Sequence, residues 1–265
     1  MRSKIWVAAA MAFVATALSA AVATAQCPAP GDTSSLGLMI DFDGDAWAYE
    51  TAYTPATFSS APGSQLTVVG IVSLFCEPFA SLHPLDPNKE YTFVWDGLTT
   101  SAGTLTQSIG STAKKYTTVY QGGSFRIYEG TPRNAPTAAT LPPLPAGGVV
   151  PDAFVDGTLI LSGDMEPLTV IVNKTSSGTY NGSVKGNYHA TGGTFYDQVG
   201  SGTSLIDGLW YPVPASNPDP PAPLGTGLLP AGWSAHPNAK WDKPAFTPPV
   251  PALPATWGKL KSIYR

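Results

Sequence analysis

A chain of 265 residues with 14 Lys and Arg against 18 Asp and Glu has a formal net charge of −4, which gives it no electrostatic footprint for nucleic acid or an anionic lipid surface. Charged residues are only 12% of the chain and Gly and Pro number 27 each, a mixture that starves helices and feeds turns. With 43% apolar residues it has enough material for a packed core, which excludes a disordered polyelectrolyte.

Arg2 and Lys4 precede an uncharged apolar run from Ile5 to Val22 that closes with Ala23-Thr24-Ala25, the pattern of a secretory signal peptide cleaved after Ala25. A retained anchor is the competing reading, since about 18 apolar residues just span a bilayer, but the alanine content and the small-residue end favour cleavage. Gln26 precedes Cys27 where lipid attachment would need a small residue. The expectation is a chain secreted to the extracellular space or periplasm, with no membrane span after cleavage. Two cysteines in an exported chain then predict one disulfide, Cys27 to Cys76. Closing a loop of about 50 residues stabilises a fold by roughly 4 kcal/mol.

Leu36 to Phe42 reads as the first strand and runs into Asp41-Phe42-Asp43-Gly44-Asp45. Asp41, Asp43 and Asp45 offer alternate oxygen ligands to Ca²⁺, but Ala46 and Ala52 occupy the positions where an EF-hand loop needs Gly and a bidentate Glu, and Glu50 is two residues early. A solvated Asp-Gly turn is the expectation and a non-EF Ca²⁺ site the alternative. After Trp47 to Tyr53 and a turn-rich stretch comes the longest apolar run, Gln65 to Phe79. Leu66, Val68 and Gly70 share one face and Val69, Ile71 and Phe75 the other, which predicts a central strand apolar on both sides. Tyr91, Phe93 and Trp95 alternate with Thr92, Val94 and Asp96 in the next strand. Thr104 to Ile109, Lys115 to Tyr120 and Ser124 to Tyr128 read as short strands separated by Gly110-Ser111 and Gly122-Gly123.

Thr131 to Pro151 carries six prolines and no periodicity, as either an interdomain linker or a long loop. Thr158 to Ser162 and Leu168 to Val172 make a further hairpin. In the β-like stretch from Thr179 to Tyr196, Val184, Gly186, Tyr188 and Ala190 share one face, and Lys185, Asn187 and His189 the other. His83, His189 and His236 are far apart without acidic or sulfur neighbours and read as surface residues. Leu205 to Tyr211 is the last strand expected. Pro212 to Pro254 should run extended, strapped down by Trp210, Trp233, Trp241 and Phe246, and Trp257, Leu260 and Tyr264 fall at helical spacing.

These elements predict an all-β chain, an antiparallel β-sandwich of immunoglobulin-like or jelly-roll type over residues 26–211, behind a signal peptide at 1–25 and under a packed proline-rich segment at 212–265. No G-x-S-x-G, H-E-x-x-H, phosphate loop or dinucleotide fingerprint occurs, so the expectation is not an enzyme but a secreted structural or interaction protein of the cell exterior, with a glycan or protein partner. The alternative is a carbohydrate-binding module stacking sugars on Trp47, Trp95, Trp210, Trp233 or Trp241, with Ca²⁺ at the aspartates. A secreted glycan-active hydrolase, which needs two paired carboxylates, is the second alternative.

Overall fold

The computed structural model describes Cys27 and residues 37–42, 45–137, 139–144, 149–178, 180–199, 203–212 and 229–243. The export signal, Asp43, Phe246 and the terminal spacing at Trp257, Leu260 and Tyr264 lie outside the described residues. Strands form wherever side chains alternate at period two. They are β1 (Gly37–Phe42), β2 (Ala46–Glu50), β3 (Tyr53–Thr54), β4 (Ser59–Ser60), β5 (Gln65–Ile71), β6 (Leu74–Phe75), β7 (Glu90–Thr99), β8 (Thr104–Ser108), β9 (Lys114–Tyr120) and β10 (Ser124–Gly130). Then follow β11 (Thr158–Met165), β12 (Leu168–Lys174), β13 (Tyr180–Gly192), a single helical turn α1 (Tyr196–Val199), β14 (Thr203–Pro212) and β15 (Ala235–Lys243).

Several of the short strands are halves of long, bent ones. β9 pairs with β12 from Lys114 opposite Lys174 to Tyr120 opposite Leu168, and β10 continues in the same direction along β11 from Ser124 opposite Asp164. Gly122 and Gly123, at φ 68° and 87°, separate β9 from β10 as expected, by a bend that does not reverse the chain. β11 and β12 likewise both run along β13, and β7 and β8 along β10 and β9. β1 and β2 both lie antiparallel to β15 and so run in the same direction along it, and the expected Asp43-Gly44 turn lies outside the described residues.

Sequential pairing of these strands, β2-β5-β7-β10-β11-β13-β14-β15, returns to β2 and closes an eight-stranded antiparallel barrel. The all-β, antiparallel expectation holds, but a closed sheet replaces the expected sandwich. Neighbours in the chain are neighbours in the wall, without Greek-key crossovers, and the seam is made where Ala235 meets Ala48 and β1 lies along Ala239 to Lys243. Closure satisfies the two edges that an open meander would leave unpaired.

Two element boundaries differ from expectation. The apolar run from Gln65 makes two strands: β5 ends at Ile71, and Leu74–Phe75 turns away to pair with β1. The chain also has a strand beyond Tyr211. β15 supplies the eighth stave, with Ala235, Ala239 and Trp241 buried and Lys240 exposed. Its Pro237 sits between Ala235, paired to β2, and Ala239, paired to β1, so the missing N–H falls where the neighbouring strand is itself interrupted.

The barrel interior is filled. Phe42, Phe93, Trp95, Phe125, Tyr188 and Trp241 meet in edge-on, tilted and, for Trp95 with Trp241, stacked contacts with ring centroids 4.5–6.4 Å apart. Gly70 makes room for this cluster, since a Cβ there would lie 2.6 Å from Phe93 Cε1. Val184, Tyr188 and Ala190 of β13 all face inward, as their alternation predicted. A second apolar cluster clads the outside of β2, β5 and β7, where Trp47, Val69 and Val94 lie under Leu141, Phe154 and Trp233. The proline-rich stretch after Gly130 therefore runs over the wall. It is held by Glu90, which accepts the Asn134 and Ala135 N–H groups at 2.9 and 3.1 Å, and by Trp233 Nε1 donating to the Pro142 carbonyl at 3.0 Å. The Cys27–Cys76 disulfide is formed, with Cα atoms 5.3 Å apart, and ties Cys27 to the segment just after β6.

Candidate functional site

Chemistry-bearing side chains gather at one end of the barrel. The inward row of β2 is Ala46, Ala48 and then Glu50, so the alternation that builds core also delivers a carboxylate into the interior. Ser64 Oγ donates to Glu50 Oε2 at 3.4 Å, and Ser60 Oγ lies 3.2 Å from Tyr120 Oη. Tyr53, Phe58, Tyr116, Thr118, Val170, Val172 and Trp210 complete the lining of a cavity of about 10 Å³, room for about one water. No Lys, Arg or His is among the lining residues. Burial raises the Glu50 pKa above its usual value, with the hydroxyls of Ser60, Tyr120 and Ser64 pulling the other way. Burial first, and the Glu50 charge second, pushes Tyr53 and Tyr120 upward as well. The group is suited to holding a proton or one water in place; it is closed to anything larger. The β3–β4 hairpin seals it. Its Phe58 holds φ 49°, a costly conformation for a bulky residue, and its ring packs 5.4 Å from Tyr116 and 4.5 Å from Tyr180.

The outer wall carries a second concavity. On β13, β14 and β15 the outward residues form cross-strand rows: Ser183, Leu209 and Asn238, then Lys185, Asp207 and Lys240 with alternating charge. Ser183, Asp207, Leu209, Asn238 and Lys240 border an open depression of about 420 Å³ with Asp242 at its rim and Leu209 48% exposed. Gly208 lets β14 and β15 approach here, because a Cβ would fall 2.3 Å from the Asn238 carbonyl oxygen. Asp242 is pushed up by burial, with Lys240 opposing and Asp207 adding to the shift.

Compared with known proteins, the chain matches no family model, no curated protein and no solved structure. The residues singled out from sequence must therefore be placed by geometry alone. Trp47, Trp210, Trp233 and Trp241 are 1%, 3%, 6% and 0% exposed, and Trp95 is 0%. None offers an open face on which a sugar ring would stack. Trp95, Trp210 and Trp241 point into the barrel, and Trp47 and Trp233 lie beneath the outer cladding. Asp41 is buried on β1, its carbonyl accepting the Ser73 N–H at 2.9 Å, and the Asp45 carbonyl accepts the Ile71 N–H at 2.8 Å. Asp43 lies outside the described residues, and among those described no three His, Cys, Asp or Glu side chains gather as a metal would require.

Of the three histidines, His83 is exposed and His189 half-buried, whereas His236 is buried beside Trp47 with ring centroids 6.4 Å apart. The surface reading fails for His236 because β15 places it under the cladding. In the sequence Glu50 stands out only as a mismatched Ca²⁺ ligand. The signal that identifies it is its place in the row Ala46, Ala48, Glu50, a carboxylate on an inward face.

Proposed function

We propose that this chain is an exported, disulfide-closed β-barrel serving as a structural or interaction protein of the cell exterior, and that it works through its outer wall. The observation that supports this reading is the filled interior. With Trp95 and Trp241 stacked across it at 6.3 Å and Phe42, Phe93, Phe125 and Tyr188 closing around them, the described residues fill the middle of the barrel where a ligand would otherwise lie. The cavity beside Glu50 is water-sized, which favours the wall and its loops as the place to meet a partner. The N-terminal export pattern and the disulfide suit an oxidising compartment.

The test is a set of thermal melts of the chain beginning at Gln26, run against a glycan panel, with Ca²⁺ and with a chelator. A ligand that binds only the folded state raises the midpoint, so the expected result is a midpoint unmoved by any of them. A glycan-dependent rise would replace this reading with a carbohydrate-binding module. A Ca²⁺-dependent rise abolished by Asp43→Ala would turn the aspartate cluster into a metal site.

A further inference from the structure

Among the described strands of the large sheet, two have a single neighbour: the two-residue β6, which pairs with β1, and the five-residue β8. The bent strands β7–β8, β9–β10 and β11–β12 run past the closed ring and flare into a wing, and β8 forms its outer edge, paired among the described residues only with β9. Natural edges are usually guarded by charge, proline or a bulge. From Leu105 to Ile109 the sequence is L-T-Q-S-I, with none of these. Three of the large apolar side chains left in solvent are concentrated on this wing: Leu105 at 60%, Ile109 at 61% and Val119 at 40% exposed.

The hydrogen-bond phase of the edge is fixed. Ile109 N–H donates inward to the Ala113 carbonyl at 3.1 Å, so in the alternation of an antiparallel ladder residues 105, 107 and 109 face β9 and Thr106 and Ser108 turn their N–H and C=O groups to the open side. Thr104, at the start of the strand, is occupied by the hairpin, its Oγ1 accepting the Ser60 N–H at 2.7 Å. The open edge is therefore centred on Gln107.

A copy of the same edge, turned about a two-fold axis at Gln107, fits it. Thr106 would exchange both backbone hydrogen bonds with Ser108 of the second copy, and Ser108 with its Thr106. Leu105 would lie opposite Ile109, and Ile109 opposite Leu105, on the same outward face. The two Gln107 residues would meet at the axis as a non-hydrogen-bonded pair, able to bond through their amides. Lys115, beside Gln107 on β9, would be separated from its counterpart by three strand spacings, about 14 Å and beyond the screening length at physiological salt. We propose that β8 is a self-association edge, and that the partner it fits is a second copy of this chain, joined as an antiparallel isologous dimer through Leu105 to Ile109. The proposal stands independently of where the protein is exported.

Sedimentation of the mature chain from about 1 to about 300 μM tests it, with association this limited expected in the micromolar range or weaker. The expected result is a weight-average mass rising toward twice the monomer's, and staying at the monomer's in Thr106→Pro and Gln107→Lys. The first removes an outward N–H without touching the β9 ladder, and the second sets like charges face to face at the axis. Melts of both variants check that the barrel is intact. A cross-link provides a readout in a chain whose edge is otherwise unaltered. The Cα atoms of a non-hydrogen-bonded pair lie about 4.5 Å apart, within disulfide reach, so oxidised Gln107→Cys should trap a covalent dimer and Leu105→Cys, facing Ile109, should not. A wild-type chain that stays monomeric throughout while Gln107→Cys fails to cross-link overturns the proposal. So does a dimer that survives both Thr106→Pro and Gln107→Lys.

Discussion

Glu50 shows how one residue can set a pH dependence for the whole barrel. Its pKa in the folded chain lies above the ordinary 4.5 because burial penalises the ion, and the neighbouring hydroxyls only partly offset that cost. For a carboxyl shifted upward, the stabilising contribution is complete below the unfolded value near 4.5 and is lost as pH rises through the folded value. Glutamine keeps the shape and cannot ionise. Glu50→Gln should therefore match the wild type in urea melts at pH 4 and exceed it increasingly toward pH 8, while parallel curves at every pH would count against a buried ionisation. Glu50→Ala should instead lose about 1–3 kcal/mol at pH 4, because it leaves the buried Ser64 hydroxyl short of its acceptor.

At the scale of elements, the legible strands were those whose alternation coincides with a clean change of environment. Val184, Gly186, Tyr188 and Ala190 sorted correctly because one face of β13 is wholly core and the other carries Lys185 and His189. β5 reads as apolar on both faces for a reason that sequence could not supply: Leu66 and Val68 fill the barrel, and Val69 and Ile71 meet the loop cladding. β15 was hidden by Pro237 and by the prolines around it, even though Ala235, Ala239 and Trp241 keep the period. What licenses a proline there is a gap in the strand opposite, and that is a property of the assembled wall, not of any local window. Gly122-Gly123 separates β9 from β10 as expected, but its geometry was not legible. A diglycine marks a positive φ, but whether the strand reverses or merely bends depends on its partners. Trp241 measures how much β15 matters. Its ring touches Phe42, Phe93, Trp95, Phe125 and Tyr188, so Trp241→Ala should cost about 3–5 kcal/mol in denaturant melts, and a loss below about 1 kcal/mol would mean that the strand is not part of the core.

For the molecule as a whole, stability comes from apolar burial and from closure of the sheet. The ion pairs among the described residues are Lys89 with Glu129 and Arg126 with Asp96, all with side chains 25–40% exposed. Such pairs contribute at most about 1 kcal/mol each and are screened by salt. Raising NaCl from about 0.05 to about 0.5 M should consequently move the melting midpoint by no more than about 4–8 °C downward, and a larger fall would point to electrostatics that these pairs do not account for. The fold class was legible at this scale and the closure was not, because every hairpin is local whereas the seam joins the two ends of the chain.

That seam gives the protein a birth order. Each stave from β2 to β14 finds a partner as soon as the next one is made, but the other edge of β2, and the edge of β1 that faces β15, wait for a strand nearly two hundred residues downstream, and the loop that must close is correspondingly long. During synthesis the half-built wall is a growing ribbon with its first edge exposed until Ala235 to Lys243 arrives. The last stave is thus the latch of the barrel, and anything that delays or clips it leaves a chain with nearly all its strands and no closed wall.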